Sequence, residues 1–89
     1  MRTPLEKGTA REFRAWLQTN TALGDRSISD VVSRLRRVSL VVDPLKADSP
    51  QEFRRVLGST KGSSDWSPFV RSQLGRAGIL FRQFSGMDD

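Results

Sequence analysis

Twelve of the fifteen basic residues in this chain are arginine, and the densest run of them is Arg34, Arg36 and Arg37. A guanidinium stays charged at every physiological pH. Its planar fork of donors matches the oxygens of a phosphate or a carboxylate. Arg71 and Arg76 add two more such groups further along the chain. The chemistry these residues offer is anion binding: a set of fixed cations that grips backbone phosphates without reading sequence. Arg34 and Arg37, three residues apart, share a helix face, while Arg36 is turned by ~100° from Arg37. The alternative for this run is a solvated face whose charge is partly met by acids, Asp30 standing four residues before Arg34.

The rest of the composition narrows the chemistry to binding. The chain has no cysteine, no histidine and no tyrosine. Thiolate metal sites and disulfides are therefore excluded, and so are the commonest metal ligand and the usual general base near neutral pH. Carboxylates, serines and arginines remain, and they form no catalytic constellation. No catalytic residue, metal site or cofactor is assigned. The Ser59–Ser64 stretch lacks the glycine–lysine spacing of a phosphate-binding loop, so no nucleotide is assigned either. The formal net charge is +5, with Asp88 and Asp89 at the extreme C-terminus, so the body is more basic than the total. An arginine surplus of this kind favours an anionic partner, either DNA or an acidic protein surface. No apolar run reaches the ~18–20 residues of a membrane span, and no signal-peptide core follows Met1. The chain reads as cytoplasmic, with no membrane partner.

Four helices must position these residues. The longest is expected from Ser64 to Phe84, where Val70, Leu74, Ala77, Phe81 and Phe84 recur at steps of four and three and draw one stripe. Ser64 is its expected N-cap and Asp65 lies in its first turn. Arg71, Arg76 and Arg82 fall off the stripe, within reach of water or an anion. The first helix is expected from Thr9 to about Thr19, with Thr9 and Glu12 as a capping box and Phe13, Trp16 and Leu17 on one face. Arg11 and Arg14 project elsewhere. The second begins at a Ser27 cap with Asp30 at N3, and Ile28, Val31, Val32, Leu35 and Val38 form its apolar face. Ser39–Val42 is either an extension of that helix or a short extended segment, and Asp43-Pro44 ends it. The third starts at Ser49, with Pro50 at N1 and Glu52 at N3. Phe53, Val56 and Leu57 face inward, and Gly58 acts as the C′ stop.

One all-α domain therefore spans residues 9–86, a small four-helix bundle preceded by a flexible arm over 1–8 and followed by an acidic tail over 87–89. Gly75 and Gly78 cost roughly 1 kcal/mol each inside a helix. They mark close packing against another helix, close backbone approach to DNA or a second protein chain, or a kink. Trp16 and Trp66 read as core or core-edge residues. Together Trp66, Gly75 and Gly78 form a possible interaction face.

The order of motifs resembles the SAM-like core-binding, N-terminal domain of tyrosine recombinases and phage integrases. The matching text is "EFRAWL", "RSISDVVSRLRRV", "SPQEFRRVL" and "VRSQLGRAGILFRQF", covering roughly residues 9 to 85. The resemblance implies a SAM-like four-helix module with irregular, orthogonal packing, which in recombinases lies across duplex DNA as half of a clamp. The catalytic residues of that family belong to a second domain and have no counterpart here. What carries over is DNA contact, with Arg34, Arg36, Arg37, Arg71 and Arg76 as the implied phosphate contacts.

Overall fold

Apolar residues at three- and four-residue steps fold as helices in all four expected places. In the computed structural model, which describes residues 7–63 and 65–87, α1 spans Lys7–Asn20, α2 Asp25–Ser39, α3 Pro50–Ser59 and α4 Pro68–Phe84. A single 3₁₀ turn, Lys61–Ser63, lies between the last two. No strand occurs among the described residues. The chain is an all-α four-helix bundle, and no described helix is long and apolar enough to cross a membrane.

The helix ends follow cap chemistry, but not always at the expected residues. At α3 the Ser49 Oγ accepts a hydrogen bond from the Glu52 backbone N–H at 3.0 Å, with Pro50 opening the helix. At α4 the same serine–proline pair recurs three residues later than expected. Ser67 is the N-cap, its Oγ accepting from the Val70 N–H at 3.2 Å, and Pro68 is the first helical residue. Asp65 and Trp66 precede this helix, and the expected cap Ser64 lies outside the described residues. Thr9 is not a cap: α1 begins at Lys7, and Thr9 lies buried within its first turn. Lys7 and Gly8 therefore belong to the helix, while the rest of the expected arm lies outside the described residues, as do Asp88 and Asp89. Ser27 is likewise inside α2, whose N-cap is Gly24 in extended conformation, with the acid Asp25 in the first turn facing the positive helix end. The Ser39–Val42 stretch is a helix terminus and turn, with Val41 and Val42 N–H both donating to the Val38 carbonyl. Gly58 does not end α3, which runs to Ser59 with Thr60 as its C-cap. The left-handed glycine is Gly86 (φ 79°) after α4. There the Met87 and Gly86 N–H groups close on the Arg82 and Gln83 carbonyls, a Schellman motif.

The central pair is α2 and α4; α1 packs on both, and α3 packs on α4. Phe13 and Leu17 of α1, Ile28, Leu35 and Val38 of α2, Phe53 and Leu57 of α3, and Leu74 and Phe81 of α4 are buried. Each such side chain contributes about 1.5–3 kcal/mol on leaving water. One end of the core is aromatic: the Phe13 ring meets Phe81 edge-on at 5.4 Å and Phe84 at 5.3 Å, with Trp16 beside them.

Two features fix α3 and its preceding loop on α4. Gly78 is buried against Phe53, whose ring occupies the space a Cβ would need. One turn on, the side chain of Arg82 is fully buried, and its Nη1 donates to the Pro44 and Ala47 carbonyls at 2.8 and 2.7 Å. The sequence places Arg82 beside the apolar stripe, where solvent is the default. The α2–α3 loop instead folds over it and supplies carbonyl acceptors in place of water.

Candidate nucleic-acid interface

The apolar face of α2 is turned toward α1 and α4, which leaves the opposite face as an exposed ridge. Arg34 and Arg36 are two residues apart and so stand ~200° apart around the helix, one on each flank of this ridge. Arg37 is exposed beside Arg34. The densest run of arginines is therefore divided between two flanks, with Arg36 apart from Arg34 and Arg37 as the helix period requires.

On the α4 flank, Arg34 and Arg37 line a cavity of about 110 Å³ with Phe69, Val70, Gln73 and Leu74. Arg34 also lines the adjoining cavity of about 200 Å³, which reaches Asp30 and Ser27 on α2 and Gln73 and Arg76 on α4. Arg34, Arg37 and Arg76 are thus brought to one groove. Asp30 shares the groove, but no ion pair joins it to Arg34, so the expected i,i+4 pairing is not made. The Arg37 guanidinium lies over the Trp66 ring, 5.3 Å from its centroid. This cation–π contact ties the cation to the residue just ahead of α4.

On the α1 flank, Arg36 joins Arg11 and Arg14 around a wider cleft of about 460 Å³ that also includes Ser29 and Ser33. Arg14 crosses from α1 to α2, its Nη1 donating to the Ser29 Oγ at 2.9 Å. Sequence reasoning passed over Arg11 and Arg14. Their three-residue spacing, which puts both on one helix face, was the available signal.

Arg71 is on a different side. Five residues from Arg76, it is turned by ~140° on α4, and it lines the α3–α4 cleft with Arg54, Leu57 and Ser72. Its Nη2 donates to the Trp66 carbonyl at 3.4 Å. The expected interaction face is also taken apart. Gly75 and Gly78 are both buried on the side that meets α3, with Leu57 and the Arg54 guanidinium over Gly75, and only Trp66 lies near the groove. Close helix packing, the first of the readings given above, accounts for both glycines.

Asp30 stands in the groove, and three further acids gather away from the ridge. Asp43, Asp48 and Glu52 surround a cavity at the α2–α3 loop together with Lys46. Glu52 accepts from the Arg55 Nε at 3.0 Å. That hydrogen bond, and then the Arg55 charge, hold the Glu52 carboxyl below its usual range. Among the described residues no group of three or more carboxylates is disposed to hold a metal ion.

What this arrangement can do chemically is bind anions on both sides of one helix. Comparison of the chain with protein-family models, with curated proteins and with solved structures gives no match.

Proposed function

We propose that this chain is a non-enzymatic DNA-binding module that grips duplex phosphates across α2, as the core-binding half of a recombinase clamp does. One observation carries the reading: arginines from three helices flank a single exposed ridge, Arg11, Arg14 and Arg36 on one side and Arg34, Arg37 and Arg76 on the other. A major groove about 12 Å wide admits an α-helix. A helix seated there has phosphate rows on both flanks, which is the pattern of charge that α2 carries. The contacts are to phosphate, so affinity is electrostatic and largely independent of sequence.

The test is a titration of duplex DNA against salt. Six phosphate contacts give a slope of log affinity on log salt of about −5. The double change Arg34→Ala and Arg37→Ala flattens it by about two units and weakens all sequences alike. Arg71→Ala leaves the slope unchanged. Absence of binding at ~50 mM salt overturns the reading. The second reading, a protein-interaction or self-assembly surface, draws on the exposed Leu40 and Phe69, at 75% and 70% accessibility. An apolar contact of that kind loses little with salt.

A further inference from the structure

Phe69 is a large aromatic side chain left 70% exposed on the rim of an arginine groove. The small cavity it lines, about 110 Å³, is smaller than the ~150 Å³ cavity that accepts a benzene ring, so it seats the edge of a ring whose face lies on the exposed Phe69. It is lined by Phe69, Arg34, Arg37 and Gln73 together with Val70 and the buried Leu74, which give it an apolar floor. An apolar floor excludes a bare phosphate from the bottom of the cavity. The two cations at the rim disfavour an uncharged apolar peptide. The occupant that satisfies both is a planar ring tied to an anion.

We infer that this cavity receives one unpaired nucleobase, stacked on Phe69, with the adjoining phosphate held by Arg34 and Arg37. Gln73 is placed to donate to or accept from the edge of that base. Stacking on an exposed aromatic beside a basic groove is how single strands are held without strict sequence preference. The neighbouring Trp66 ring is already covered by Arg37, which leaves Phe69 as the free platform of the pair.

This inference rests on the proposed nucleic-acid function, and the experiment separates the two. A labelled thymidine strand of roughly twelve nucleotides and a duplex of the same length are titrated with the wild type, Phe69→Ala and Phe69→Trp. Phe69→Ala is expected to weaken strand binding by about 5- to 150-fold with an unchanged salt slope, the loss of one stacked base. Duplex affinity stays within about two-fold, and Phe69→Trp retains strand binding. A thermal melt of Phe69→Ala matching the wild type assigns the loss to binding, since an exposed side chain contributes little to the fold. Equal loss on both probes, or no loss on the strand, overturns the stacking site. A wild type that binds duplex with the arginine slope while Phe69→Ala has no effect on the strand overturns this inference alone. Wild type binding to neither probe at ~50 mM salt overturns both proposals.

Discussion

Burying a guanidinium is unfavourable unless its donors are met, and Arg82 meets them with the Pro44 and Ala47 carbonyls. Arg82→Leu keeps some of the packing but leaves both carbonyls without this donor. A loss of about 2–5 kcal/mol is expected in urea denaturation. Arg82→Lys keeps the charge as a single compact donor, so it falls between the leucine variant and the wild type. The two glycines of α4 part in the same assay. Gly78→Ala drives a methyl into the Phe53 ring and costs about 1–3 kcal/mol even after the helix-propensity gain. Gly75→Ala meets the Arg54 Nη1 at 3.3 Å, the far end of a side chain that can swing aside, so the propensity gain of roughly 1 kcal/mol prevails. The expected order of stability is Gly75→Ala, wild type, Gly78→Ala. A reversed order would mean that α3 does not approach α4 at Gly78.

The helices differ in how firmly their starts are written. Ser49→Ala and Ser67→Ala should each cost about 1 kcal/mol by thermal melt, because each hydroxyl accepts from an N3 amide. Ser27→Ala, within α2 and exposed, should stay within about 0.5 kcal/mol. Apolar periodicity made all four helices legible, together with their inward faces and the start of α3. Serine followed by proline is a strong start signal because proline also fixes the backbone angle, and the Ser67-Pro68 pair was there to be read. A serine or threonine ahead of a distant acid is weaker text, as Thr9 and Ser27 show: the helix simply continues upstream when the preceding residues tolerate it. The candidate site was legible only in part. The split of Arg34 from Arg36, and of Arg76 from Arg71, follows from the helix period alone. Which neighbour each arginine meets depends on where α1 and α3 dock, and that is set by long-range packing. The burial of Arg82 depends on a loop ~35 residues away in the chain, beyond any local pattern.

At the scale of the whole molecule, six arginines flank the α2 ridge with Asp30 among them, and three further carboxylates gather with Lys46 at the α2–α3 loop. No histidine is present, and arginine as a residue type is charged throughout the neutral range. Duplex affinity should therefore be flat between about pH 6 and 9 at fixed salt. A step in that range, read by titration at several pH values, would mean that a group other than arginine carries the binding. The two tryptophans occupy opposite ends of the bundle. Trp16 stacks on Phe13 and meets Phe84 edge-on in the aromatic cluster, whereas Trp66 sits beneath Arg37 just ahead of α4. At ~1.5 Å per helical residue, the length of α4 separates them by roughly 25 Å. The protein thus carries two spectroscopically separable probes. Emission from Trp16, in a Trp66→Phe background, follows unfolding of the core. Emission from Trp66, in a Trp16→Phe background, follows any anion that draws the guanidinium off its ring, so occupancy and folding can be read by light from the same chain without a label.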